Sequence, residues 1–426
     1  MSLKTLLVHP STLHGGIAIP PSKSQTMRAI LFALRARGKS TISDPLLSPD
    51  THAMLCAIEQ LGAKVQREEK IIHITGTQKL SPVQTAIDAK NSGIVLRFIG
   101  AMAGHLPSMT ILTGDHSLQT NRPSDALLSA LTQLGVKTHA LKLPGYAPFV
   151  LKGPMTPGSA LFSGVDSQPV SAMLIATSFL EGKTELHINH PGEKAWVALT
   201  LDWLHKLGAN IVHETYARYT IYGPLCYEGF SYQVPGDFSS AAFPIIAALI
   251  TNSEIVLHNL DVKDQQGDKR ILQILHQMGA MIEVDEEKNQ LRIHKHRGLH
   301  GVHVDINDCI DSLPILAALG CFAQSTMKIT GAAIARHKES DRIHAISSEL
   351  QKMGAKIEEH ADGLTIFPSK LHGTSLDSHS DHRIAMTLTV AALGAKNESR
   401  IHGVHWMQKS YPTFVRDFQK LGAKIS

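Results

Sequence analysis

The chain is poor in cysteine, in aromatic residues and in long runs of one charge or of apolar residues, and each shortage removes a class of protein. Four cysteines, Cys56, Cys226, Cys309 and Cys321, are spread over 426 residues and form no Cys-x-x-Cys pair. That excludes a disulfide scaffold and a zinc ribbon, and reads as reduced, structural thiols. Aromatic residues make up only 5% of the chain, and no block of five like charges occurs. A nucleic-acid surface with a basic stripe and stacking rings is therefore not expected. Apolar runs such as Ala241–Ile250 are too short to span a bilayer. Met1–Pro10 lacks the apolar core of a secretory leader, so a cytoplasmic location is expected. Two Asp and two His crowd the stretch 377–383, but their spacing matches no standard ligand set. No metal and no cofactor are expected.

What is there fits a globular chain of two domains, with 43% hydrophobic and 18% charged residues. The net charge of +4 is mild and suits a cleft for anionic metabolites. A helix ending in Leu or Met, then Gly, then Ala or Val and a short strand occurs six times. The glycines are Gly62, Gly135, Gly208, Gly279, Gly354 and Gly422. The period of roughly 70 residues is too long for a solenoid turn. Apolar residues recur eight, seven, four and one position before each glycine, as in Met54, Leu55, Ile58 and Leu61. The third and fifth copies each miss one position, at Thr200 and Ser347. Most of that set shares one helix face, and the glycine supplies the left-handed residue that ends the helix. Each period also holds a second helix and further strands, a βαβαββ unit. Helix and strand alternate densely enough to predict an α/β fold with three such units per domain. Pro20-Pro21 and Val234–Asp237 mark two chain crossings. They predict one domain of residues 20–237 inserted into another of residues 1–19 and 238–426, with a hinge near 19–21 and 234–238.

Charges collect at the predicted helix starts. After Pro20-Pro21, Ser22 has the type of an N-cap, and Lys23 and Ser24 open a helix with Arg28 on the same face. An ammonium, a hydroxyl, a guanidinium and free amide groups are thus offered to one anion. A capped surface helix with solvated charges would carry the same residues. Asn91-Ser92-Gly93 with Arg97 opens another helix, where Gly93 permits close backbone approach. Arg122 is predicted to begin a further helix. Asp166-Ser167-Gln168 precedes an apolar helix, with Asp166 as cap and Ser167 and Gln168 as hydrogen-bonding groups. Asp237 reads as a cap too. Asp311 is either a cap or a general base. His337–Arg342 packs five ionisable groups into six positions, with Lys338 and Arg342 expected on one helix face. Arg383 begins the next helix and Lys409 precedes the last. Cations at helix N-termini oppose the dipole, which a fold tolerates where a site needs positive charge. Two small anionic ligands, one held by each domain, are the expectation.

These stretches resemble a known family. Ser22-Lys23-Ser24 with Arg28, Asn91-Ser92-Gly93 with Arg97, Gly236-Asp237 with Ser239-Ser240, Lys338–Arg342, Asp381-His382-Arg383, and Lys409 before Tyr411-Pro412 are similar, in order, to 5-enolpyruvylshikimate-3-phosphate synthases. The resemblance implies a two-domain inside-out α/β barrel of the enolpyruvyl transferase type, with a cleft that closes on its substrates. It implies transfer of an enolpyruvyl group from phosphoenolpyruvate to the 5-hydroxyl of shikimate 3-phosphate, in the path to aromatic amino acids. Lys23, Gly93, Arg122, Gln168, Arg342, Arg383 and Lys409 would hold the donor. Lys23, Ser24, Arg28, Ser167, Gln168, Asp311 and Lys338 would hold the acceptor. Asp311 would be the base, and Glu339 with Lys23 the proton donors. Small molecules are then the only partners, with no nucleic acid, no membrane and a monomeric chain.

The pattern departs from the family at Asp166 and Glu193, where Ser is common, at Trp196 in place of Tyr, and at Ile94 and Phe98 beside Gly93. Two carboxylates near an acceptor phosphate would need compensation from Lys194 or Lys23. That keeps open an enolpyruvyl transferase with another alcohol acceptor. An RNA 3′-phosphate cyclase shares repeats of this kind, and the weak basic patterning counts against it.

Overall fold

The computed structural model describes residues 4–426, so the first three residues of the Met1–Pro10 stretch lie outside it. The chain forms two compact units: Lys23–Val234, and the chain up to Ser22 together with Pro235–Ser426. The crossings fall a few residues inside the bounds expected from sequence. The two crossing strands run antiparallel, with Ser22 N donating to Pro235 O at 2.7 Å and Asp237 N to Pro20 O at 2.9 Å. Gly236 is required there, because a Cβ would fall 1.9 Å from the Asn259 carbonyl oxygen.

Five four-stranded sheets carry one topology, and a sixth, of three strands, keeps its parallel pair and one antiparallel strand. In the second repeat, strands Ile87–Asp88 and Met109–Thr113 pair in parallel across the Gly93–Ala103 helix. Strand Phe149–Lys152 then inserts antiparallel between Met109–Thr113 and Lys137–Ala140. A parallel pair needs a crossover helix and an antiparallel pair only a turn, so βαβαββ follows from the chain's connections. Three strands are borrowed over long sequence distances. Gly16–Ala18 pairs in parallel with Ile255–His258, and Ser231–Gln233 with Lys39–Ser43. Thr5–Val8 completes the last sheet against Ser399–His402. The insertion therefore lies between the first strand and the first helix of a repeat.

The six glycines all take positive φ, from +87° to +107°, as the helix-ending role requires. The apolar residues before them are buried or packed against the cores. The first helices of the repeats lie inside and, apart from Lys23–Arg35 with its polar first turns, are apolar nearly all round. Phe238–Ile250, Leu313–Cys321 and His382–Gly394 pack on one another in one unit, and Gly93–Ala103 on Ser167–Thr177 in the other. Most of the strands alternate buried and exposed residues, with one face outward. Each unit is thus an inside-out α/β arrangement of central helices and open sheets. No sheet among the described residues closes on itself. Cys309 and Cys321 are buried, which pushes both thiols up, Cys321 to about 12. Among the described residues no helix is long and apolar enough to cross a membrane.

Candidate active site

In the inserted unit, helix Lys23–Arg35 opens on Lys23, whose ammonium lies 3.5 Å from buried Asp50. Arg28, one turn on, is buried. Its Nε and Nη2 donate to Thr200 Oγ1 at 3.0 and 2.8 Å, Nη1 to the Ser24 carbonyl, and Nη2 also to the Trp196 carbonyl. Its guanidinium stands 5.5 Å from the Phe98 ring centroid. Thr200, a break in the apolar register, is the hydroxyl that receives Arg28. Over Gly93 three side chains converge. A Cβ on Gly93 would meet Arg97 Nη1 at 2.7 Å, Gln168 Oε1 at 3.2 Å and Arg122 Nη1 at 3.6 Å. Arg97 is buried, donates to Gln168 Oε1 at 2.8 Å, and holds Asp166 at 3.1 Å. Arg122 donates to the Asn91 carbonyl and to Ser117 Oγ. A glycine with no side chain of its own thus stands beside two buried guanidinium groups, the kind of donor set that suits a small anion.

The start of helix Ser167–Thr177 is served from within. Asp166 caps it through Gln168 N at 2.9 Å. Glu193, buried in the left-handed region at φ 43°, accepts from Ser167 N at 2.9 Å and Ser167 Oγ at 3.0 Å. Two built-in carboxylates thus occupy donors that an anionic ligand would otherwise use. Arg97, which was not among the compensating cations expected from sequence, lies 3.1 Å from Asp166.

In the other unit, Arg342 is a buried hub. Nη1 donates to Asp311 at 2.6 Å, Nη2 to Glu339 at 2.8 Å and Nε to Asp381 at 2.8 Å. Arg383 Nη2 donates to the second oxygen of Asp311 at 2.8 Å, and Lys409 Nζ to the second oxygen of Glu339 at 2.6 Å. Burial alone would raise the Asp311 carboxyl; Arg383, Arg342 and Lys338 outweigh it and hold the group well below the usual range. Burial would lower Arg342, but Asp381, Glu339 and Asp311 outweigh it and raise the guanidinium. Two carboxylates fit for proton transfer are clamped among cations fit for an anion.

The family pattern described as EPSP synthase (3-phosphoshikimate 1-carboxyvinyltransferase) matches residues 7–418. The chain belongs to the EPSP synthase family. A 3-phosphoshikimate 1-carboxyvinyltransferase of Chlamydia pneumoniae is 44% identical over 99% of this chain and 94% of its own length. The Chlamydia caviae protein of the same name is 43% identical, with the same two shares. A solved EPSP synthase from Acinetobacter baumannii superposes with a TM-score of 0.83 at 27% identity, covering 100% of this chain and 99% of that one. The enolpyruvyl transferase NikO from Streptomyces tendae, at 19% identity and a TM-score of 0.81, covers 99% of this chain and 98% of its own and shares the fold.

In this EPSP synthase family chain several expected helix starts are something else. Arg122 does not begin a helix: it lies in the bend between His116–Thr120 and Asp125–Gln133. Lys338 and Arg342 do not share a helix face, since Lys338 follows the 3-10 turn Ala333–His337 in extended backbone and the helix begins at Arg342. Asp311 sits in the 3-10 turn Asn307–Ser312, and Lys409 ends another, Val404–Lys409. Asp237, Asp341 and Asp381 cap helices through backbone N–H groups, so Arg342 and Arg383, at the starts capped by Asp341 and Asp381, meet an acid at once. Sequence reasoning missed Asp50 on Lys23 and Asp268 beneath Ser239. Asp50 stands in no charged run, whereas Asp268 leads the run Asp268-Lys269-Arg270, a signal that could have marked it.

Proposed function

We propose that the chain transfers the enolpyruvyl group of phosphoenolpyruvate to the 5-hydroxyl of shikimate 3-phosphate, releasing phosphate. The clamp of Asp311 and Glu339 on one guanidinium, with Arg383 and Lys409 behind them, carries the reading. The hydroxyl adds to the enol carbon while the methylene is protonated to a methyl, and the tetrahedral intermediate then loses phosphate together with one methyl proton, which restores the carbon–carbon double bond. Asp311 takes the hydroxyl proton; Glu339 and Lys23 supply the proton to the methylene. In the free chain Asp311 is a weak base, because cations hold it ionised. A donor anion on Arg342, Arg383 and Lys409 takes a share of their field and makes both carboxylates stronger bases. The substrate thereby tunes its own acid–base pair.

Lys23, Gly93, Arg122, Gln168, Arg342, Arg383 and Lys409 hold the donor in this reading. Lys23, Ser24, Arg28, Ser167, Gln168, Asp311 and Lys338 hold the acceptor. The negative charges of the two ligands support it, since their repulsion must be offset by many cations. The reaction consists of addition, elimination and proton transfers that side chains supply. A monomer working in the cytoplasm on small molecules, without nucleic acid, completes the proposal.

A coupled phosphate-release assay with shikimate 3-phosphate against shikimate tests it. Turnover should require the phosphorylated acceptor. Preference for shikimate would show that Glu193 and Asp166 have displaced the phosphate. Lys23→Met should lower kcat by roughly a hundredfold or more with the fold intact by circular dichroism. Wild-type turnover in that variant would remove Lys23 from the site. Gly93→Ala drives a Cβ into the Arg97–Gln168 bond. It should raise KM for phosphoenolpyruvate by about tenfold, with a stability loss below about 1 kcal/mol. An unchanged KM would mean the donor does not use this seat.

A further inference from the structure

Asp268 lies on the Gly267–Arg270 turn and has no role in the reading above. It is completely buried. Ser239 Oγ donates to Oδ2, while Oδ1 is buried without a hydrogen-bond partner among the described residues. An ionised carboxylate with one bare oxygen out of water is costly, and the neutral acid avoids that cost. The groups around it leave little compensation. Asp237 faces it from the start of the Phe238–Ile250 helix, and Asp311 from the Asn307–Ser312 turn, with Asp308 and Cys309 on that turn as well. On its own turn, Arg270 is taken up by Asp308 at 3.2 Å, and Lys269 by the carbonyls of Val262 and Asp264. Arg383 is the cation Asp268 feels, and Arg383 already serves Asp311. Its Nε is buried without a hydrogen-bond partner among the described residues.

We propose that Asp268 is a positioning residue that works as the neutral acid, leaving the Arg383 guanidinium to Asp311 and to the anionic donor. The inference rests on the reading that Arg383 binds phosphoenolpyruvate. Burial first, and then Asp311, push the Asp268 carboxyl up to about 7. Above that pH an ionised Asp268 adds a second carboxylate beside Arg383 and repels the donor. Donor affinity therefore falls as pH rises through neutrality, and donor binding in turn favours the proton on Asp268.

KM for phosphoenolpyruvate, measured from pH 6 to 9 with the acceptor saturating, tests this in Asp268→Asn, which copies the neutral acid. The ratio of wild-type to variant KM at each pH cancels the titration of the substrate and of other groups. It should stay near one at pH 6 and reach about tenfold one unit above the break. Ser239→Ala removes the donor to Oδ2, which favours the ionised form, so it should move the break to higher pH. That second variant decides the matter if the first does not fold. Parallel KM profiles, a KM raised equally at every pH, or a break that ignores Ser239 would overturn the proposal. An enzyme that turns over shikimate 3-phosphate with parallel profiles fails this inference alone. A chain with no such turnover fails the functional reading, and the same pH series read by calorimetric binding of phosphoenolpyruvate then tests Asp268.

Discussion

Arg342→Met is expected to cost about 3–5 kcal/mol of stability at neutral pH, together with nearly all turnover. The guanidinium is 1% exposed and serves three carboxylates, Asp311, Glu339 and Asp381, each within 2.8 Å. Methionine fills similar space but leaves those acids close together with their principal cation gone. Asp381 is fully buried and loses its bond to Nε. The pH dependence carries a definite sign. Asp311 is held below its ordinary range in the folded chain, so its contribution is present above about pH 4 and is lost as pH falls through the lowered folded value. The gap between wild type and variant should therefore narrow in acid. Arg342→Lys separates folding from function. One ammonium keeps the charge but cannot serve three acceptors in the geometry of the fork. It should regain part of the stability and little of kcat. Urea unfolding at pH 7 and well below about pH 4, with kcat for each variant at neutral pH, reads all of this. A methionine variant within about 1 kcal/mol of wild type at pH 7 would mean the hub is decorative.

The repeat was open to sequence reading because it depends on local chemistry. A glycine at φ near +90° ends each helix, and an apolar face precedes it; both are set by residues within two turns of each other. Gly62 and Gly422 therefore look alike in sequence and in structure. The borrowed strands were hidden because Gly16–Ala18 and Ser231–Gln233 are three residues long and find partners far away in the chain. No periodicity can be read in three residues. The same contrast holds in the site. Arg342, Arg383 and Glu339 stand in charged runs and were visible. That Lys338 lies in extended backbone was not, because the cap that starts the next helix is Asp341 and not an earlier residue. The protonation of Asp268 was invisible because burial, which sets it, is a property of the fold.

Glu339→Gln should lower kcat by roughly a hundred- to ten-thousand-fold while KM for phosphoenolpyruvate stays level or falls. Each oxygen of Glu339 is committed, one to Lys409 at 2.6 Å and the other to Arg342 at 2.8 Å. In the free chain this carboxylate competes with the incoming donor for the two cations. The amide keeps the shape, surrenders that competition and cannot move a proton, so affinity and turnover should part company. Glu339→Ala should show the same split with a further loss of order around Lys409. A purely structural Glu339 would lower stability and raise KM together and leave the pH profile of kcat in place. A proton-transfer Glu339 removes one limb of that profile. An unchanged kcat in both variants would end its acid–base role and leave Lys23 to protonate the methylene.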